Sequence, residues 1–298
     1  MYKKNLLREY ILNSELRSFS DKIKVRLSKE LAEKYDKGAY ENYLKNIEKF
    51  YGMLNNLNIK FPSNANPILY LYIVPDDNFA ILLNIPEVFR GSRGGGRPVK
   101  CYDIDGFKTA YGISQNLCEN RSLNTISVSR MVNEIHELSH LIHGMFFSDN
   151  RIINEGVAEV IPLYVMKLGE GFDEYRDILL NLEESQIYSV KEILNQERNN
   201  EFGKEAILPN KSCSFRLSYI SSYLFVRGCL EIIGEKFSYN KIQSLQFFLE
   251  LIMQSSCSYE YLIYDIADIL GIDRDELLNG KSLQIEVINN LSNNNNTK

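Results

Sequence analysis

Met131, Ile135, Leu138 and Ile142 recur at i, i+4, i+7 and i+11, the spacing of an apolar stripe along one side of an α-helix. A helix over 129–144 is therefore expected, with Gly144 where a C-terminal cap belongs. The only three histidines in the 298 residues, His136, His140 and His143, lie within eight residues of one another on this segment. His136-Glu137-Leu138-Ser139-His140 has the form H-E-x-x-H. Side chains four apart on a helix point the same way, so the two imidazoles converge on one point and Glu137 flanks it. With histidine this scarce, chance would produce the string in roughly a few of a thousand such chains.

Two imidazoles do not complete a catalytic metal site, which takes three protein donors and leaves one position open. His143 stands seven residues beyond His136, about 10.5 Å further along the axis, so it reads as a histidine of the helix end. The next acidic pair is in Asn154-Glu155-Gly156-Val157-Ala158-Glu159. Glu155 and Glu159 are one helical turn apart: one carboxylate can complete the site while the other accepts a hydrogen bond from a ligand imidazole and fixes its tautomer.

H-E-x-x-H followed by N-E-G-x-A-E resembles the catalytic core of the gluzincin clan of zinc metallopeptidases, and Asn154-Glu155-Gly156 resembles the third-ligand segment of the aminopeptidase N-like branch. The resemblance implies Zn2+ held by His136, His140 and Glu155, with Glu159 supporting a ligand histidine. It also implies Glu137 as the general base that takes a proton from the attacking water and passes it to the leaving amine. Fourteen residues separate His140 from Glu155, whereas the aminopeptidase spacing of eighteen is met at Glu159. The motif favours Glu155 and the spacing favours Glu159. Downstream, the segment from Ser218 to Glu235 is similar to the gluzincin helix whose early tyrosine faces the metal. Tyr219, with Tyr223 one turn later as the alternative, then becomes the phenol that donates to a developing oxyanion. The resemblance covers about 129–235, and no G-x-M-E-N exopeptidase loop is found.

The remaining chain divides into an expected N-terminal helical region (1–62), an α/β lobe with a glycine-rich loop and the H-E-x-x-H helix (63–149), a helical lobe (150–290) and a polar, disordered tail (291–298). Tyr43, Leu44, Ile47, Phe50, Tyr51 and Leu54 keep helical spacing, and Ile68 to Val74 reads as a buried strand after the breaker-rich 61–67. Further strands are expected at 79–85 and, alone or as a hairpin, at 99–113. Beyond 129, helices are expected at 129–144, 151–168, 172–197, 215–234, 240–254 and 259–278, with Pro162 kinking or ending the second. The fold class expected is α+β and mainly helical, gluzincin-like, with a small N-terminal sheet and the active-site helix packed against a helical C-terminal lobe.

A formal charge of -5 opposes nucleic acid and anionic lipid as partners. Arg90 to Pro98 is glycine-rich but has Arg97 and Pro98 where a phosphate-binding loop needs Lys and Ser/Thr, so it reads as a surface loop. The hairpin-like 259–278 carries six acids against Arg274 alone, the wrong charge for a DNA-binding helix-turn-helix. Five scattered cysteines without a C-x-x-C pair fit a reducing cytoplasm, and neither a secretion signal nor a membrane span is expected. The activity expected is zinc-dependent hydrolysis of a peptide or protein substrate. The alternative is a catalytically inactive gluzincin-like zinc-binding protein that acts by binding a partner.

Overall fold

The structure, a computed structural model, describes residues 9–59, 68–75, 96–103, 106–115, 119, 128–143, 151–168, 173–204, 207–209, 214–254 and 259–293. The chain is mainly helical with one mixed sheet, and it divides into two compact units, Met1–Met145 and Phe146–Lys298.

The first unit is built on five strands: β1 (Ser14–Ser18), β2 (Ile23–Ser28), β3 (Leu69–Val74), β4 (Gly96–Asp103) and β5 (Gly106–Ser114), in the order β1-β2-β3-β5-β4. The centre is parallel, with Val25 opposite Leu71 and Leu71 opposite Tyr111, while β1 and β4 run antiparallel at the edges. All six residues of β3 are buried, as a strand covered on both faces requires. Pro98 falls on the edge strand β4, where a missing N–H costs no interior ladder bond. The expected 99–113 element is thus a hairpin, closed by Asp103 opposite Gly106.

The expected helical region 1–62 is corrected by β1 and β2, which join the sheet. Ile23, Val25 and Leu27 alternate into the core at 0% exposure with the two-residue period of a strand, and Arg26 between them is also buried, at 4%. The helical reading does hold for α1 (Lys29–Asp36) and for α2 (Glu41–Asn55), whose Tyr43, Leu44, Ile47, Phe50, Tyr51 and Leu54 are buried. Helix α3 (Val128–His143) follows the sheet and carries the H-E-x-x-H string. Of the glycine-rich stretch, Gly96 opens β4; 91–95 and the strand expected at 79–85 lie outside the described residues.

The second unit is helical apart from a short ladder of β6 (Ile207–Pro209) with β7 (Ser214–Arg216). Helix α4 (Arg151–Val160) passes into a single π-helical turn, Ile161–Val165. Pro162 is the cause: it has no N–H for the α-helical ladder, and bonding resumes one residue wider, with Met166 N–H donating to Ile161 C=O. The single helix expected over 172–197 is instead α5 (Asp173–Leu180), a 3₁₀ turn (Glu184–Gln186) and α6 (Val190–Arg198). Ser189 and Glu192 form a reciprocal capping box that starts α6 afresh, and Ser-x-x-Glu in the sequence is the signal for it.

Helix α7 (Leu217–Phe237) is the axis of this unit and is buried nearly all round, as a core helix is. α8 (Lys241–Gln254) follows, then α9 (Tyr259–Leu270) and α10 (Arg274–Asn279), which divide the acidic 259–278 at a turn whose Asp273 caps the second helix. A last helix, α11 (Ser282–Asn293), extends through 291–293, where a polar tail is expected. Among the described residues no helix is long and apolar enough to cross a membrane.

The tightest point of the second unit is Gly156. A Cβ there would come within 2.5 Å of the Ser222 carbonyl oxygen and of Val226 Cγ2, so α4 lies directly on the backbone of α7. Gly156→Ala is expected to lower stability by about 1–3 kcal/mol through overpacking. A fall in urea midpoint at unchanged slope checks it; an unchanged midpoint would mean that α4 lifts off α7 without cost.

Candidate metal centre

On α3 the apolar stripe buries Ile135 and Leu138 completely, which leaves the polar residues between them to turn elsewhere. Ser139, also fully buried, satisfies its hydroxyl by donating to Ile135 C=O at 2.6 Å. His136 is buried at 8% exposure, while Glu137 and His140 are half-buried. The two imidazoles stand edge to face, with ring centroids 4.8 Å apart, and their Nε2 atoms converge to 3.2 Å. Two metal bonds of about 2.0–2.1 Å at a tetrahedral angle set their donor atoms about 3.3 Å apart. The pair already has the separation that a shared ion demands.

Glu155, half-buried on α4, could supply a third donor: one ligand atom each from His136, His140 and Glu155 lie within 4.8 Å of one another. Among the described residues this is the group of three such donors that could hold a metal ion. Neutral imidazole nitrogen with one carboxylate oxygen is a donor set that zinc accepts, and three protein donors leave a tetrahedral position open. The residues present therefore fit a zinc ion. The donor group contains Glu155, the residue that the motif favours; Glu159 is half-buried one turn further along α4. His143 ends α3, and its side chain is outside what the structure describes.

The two candidate tyrosines differ in setting. Tyr219, in the first turn of α7, is half-buried, with its ring 5.3 Å from that of Phe202 and against Gly203, whose φ of 71° places it in the left-handed region. Tyr223 is buried at 2% exposure, and its hydroxyl accepts a hydrogen bond from Arg227 Nη1 at 2.9 Å. Arg227 also donates to Glu231 at 2.8 Å and lies 4.7 Å over the ring of Tyr164 in the π-turn. Burial works against the Arg227 charge, but Tyr223 and Glu231 outweigh it and hold the guanidinium more firmly protonated than usual. Tyr223 thus lies in a packed network, whereas Tyr219 is half-buried.

One charged residue near the motif is absent from the sequence reading. Glu134, 3% exposed, lies on the apolar side of α3. Its Oε2 accepts hydrogen bonds from Tyr111 on β5 at 2.7 Å and from Tyr43 on α2 at 3.3 Å. The available signal is an acid four residues before Leu138, inside an apolar stripe. Burial first, then the Glu134 carboxylate, Tyr43 and the Glu137 charge, push the Tyr111 phenol well above its ordinary value. Tyr111 therefore stays protonated and donating. A hydrogen bond to a buried carboxylate contributes about 1.5–3 kcal/mol.

Comparison of the chain with protein-family models, with curated proteins and with solved structures finds no match. What is established is local: His136, His140 and Glu155 could hold a metal ion.

The ligand assignment is open to direct titration. Zinc is expected to bind one ion per chain, with affinity reduced about 100-fold or more in Glu155→Ala and by less in Glu159→Ala. Calorimetry on the two variants checks this, and the reverse order would make Glu159 the ligand.

Proposed function

We propose that the chain is a zinc-dependent metallopeptidase, with His136, His140 and Glu155 as zinc ligands, Glu137 as general base, Glu159 supporting a ligand histidine and Tyr219 as oxyanion donor. The observation that carries the reading is the convergence of two imidazoles and one carboxylate within 4.8 Å beside Glu137. The order of the motifs, H-E-x-x-H and then N-E-G-x-A-E, supports the gluzincin resemblance independently of that geometry.

Zinc would supply Lewis acidity that makes hydroxide available near neutral pH. The chain's residues divide the remaining work. Glu137, next to one ligand and three residues before the other, takes the proton from the attacking water and returns it to the departing amine nitrogen. One carboxylate thereby serves both proton transfers, and the peptide C–N bond breaks without an unstable amide anion leaving. Tyr219 donates its phenolic hydrogen to the oxygen that gains charge as the carbonyl carbon becomes tetrahedral. Tyr223, buried at 2% exposure with its hydroxyl accepting from Arg227, is the alternative donor.

The substrate is a peptide or a protein. The net charge of -5 argues against nucleic acid as a partner, and the scattered cysteines fit action in a reducing cytoplasm. Cys229 is an unpaired thiol buried in α7, consistent with that setting.

Two measurements test the reading. A fluorogenic peptide mixture is expected to be cut by the zinc-loaded chain, spared after chelation, and cut again when zinc is restored. Glu137→Gln should retain zinc while losing about 10²–10⁴-fold in turnover. Metal-replete Glu137→Gln protein that still hydrolyses the mixture would remove Glu137 as the base. Tyr219→Phe is expected to lower kcat about 10²–10³-fold with little change in KM, and an unaffected kcat would return the oxyanion role to another group.

A further inference from the structure

We infer that Tyr111, Tyr43 and Glu134 form a buried clamp that sets the rotation of the H-E-x-x-H helix, and so act as positioning residues for the candidate metal centre. Three observations support this. Tyr111 and Tyr43 both donate to the same oxygen, Glu134 Oε2, from two different elements, a central-sheet strand and a helix. All three side chains are buried, at 0%, 2% and 3% exposure, so water cannot readily replace either bond. The phenol of Tyr111 also senses the charge of Glu137, which places the clamp within electrostatic reach of the proposed base.

The direction of the constraint follows from helix geometry. At about 100° per residue, Glu134 points about 140° away from the mean direction of His136 and His140, and Glu137 falls between the two directions. Fixing Glu134 against the sheet therefore turns the histidine pair away from it and leaves Glu137 at the margin of both environments. An apolar residue at 134 could bury equally well, but it would resist rotation of the helix only through packing. Hydrogen bonds from two directions to one oxygen resist it directionally. A rotation of 20° about an axis some 6 Å from the imidazole nitrogens moves each by about 2 Å, an entire metal–ligand bond length.

The effect on catalysis rests on the metallopeptidase reading; the effect on metal geometry does not. The test uses the full chain loaded with cobalt(II), whose visible absorption reports the number and arrangement of ligands. Tyr111→Phe removes the shorter bond and Tyr43→Phe the longer. The triple variant Tyr43→Phe, Tyr111→Phe, Glu134→Leu replaces the donors and acceptor together, which spares the core an unsatisfied carboxylate. Far-UV circular dichroism and cooperative unfolding check that each variant folds.

Expected are a shifted cobalt spectrum and a 10–100-fold loss of cobalt affinity in Tyr111→Phe and in the triple variant, with a smaller change in Tyr43→Phe. On a peptide substrate, kcat should fall while KM stays close to wild type. A folded triple variant with the wild-type spectrum and affinity would overturn the clamp and leave those residues a purely stabilising role. The two readings fail separately. Wild-type protein that binds cobalt but cuts no peptide removes the peptidase and leaves the clamp to be judged on spectrum and affinity. Wild-type protein that cuts peptide, with variants matching it in every readout, removes the clamp alone; wild-type protein that binds no cobalt removes both.

Discussion

The carbonyl oxygen of Ser222 leaves no room at position 156 for anything larger than a hydrogen atom. That contact presses the backbone of α4 onto the backbone of α7, and Glu155, the neighbouring residue, inherits its place from it. A helix held through long side chains can shift as those side chains change rotamer; one seated backbone to backbone has little freedom to do so. The glycine of the N-E-G string is thus a packing requirement, and the carboxylate beside it gains a fixed origin. Pro162 acts on the same helix from the other end. By removing one ladder donor it converts the last turn to a π turn and sends Tyr164 against Arg227, so both ends of this short segment are anchored to α7.

A similar logic applies within the first unit, with polar contacts replacing the close backbone approach. Helix α3 must bury Ile135 and Leu138 and still present two imidazoles and a carboxylate elsewhere on its surface. The apolar stripe sets the orientation only coarsely, since dispersion contacts are non-directional. The Tyr111 and Tyr43 hydrogen bonds to Glu134 add direction. Hydrogen bonds to Oε2 offset part of the cost of burying this carboxylate, and losing them would raise that cost, so this contact favours one rotational setting over its neighbours.

Much of this was legible in the residues. The H-E-x-x-H helix, the buried β3, the helix with Tyr43 and Leu54, and the donor pair His136 and His140 all follow from local periodicity and spacing, which the chain carries within a dozen residues. Three features were less visible. Strand β2 was hidden because Ile23, Val25 and Leu27 alternate for only one short run between helical-looking segments. The break before α6 was hidden because a capping box is marked by two residues rather than by a period. The clamp on Glu134 draws on residues 43, 111 and 134, whose proximity depends on strand pairing that no local pattern encodes.

By itself the sequence determined which side chains are available as donors and their angular relation on one helix, because a 3.6-residue turn is a local property of the backbone. It left Glu155 and Glu159 as rivals, since motif and spacing disagreed, and Tyr219 and Tyr223 as rivals, since both stand on the same helix one turn apart. Only the tertiary structure brought Glu155 into the donor group and showed Tyr223 buried, with its hydroxyl accepting from Arg227. The physical reason differs between the two: Glu155 stands fifteen residues beyond His140 and joins the group only through the fold, whereas Arg227 is one turn from Tyr223 on the same helix and it is the burial of Tyr223 that depends on the elements packed around α7.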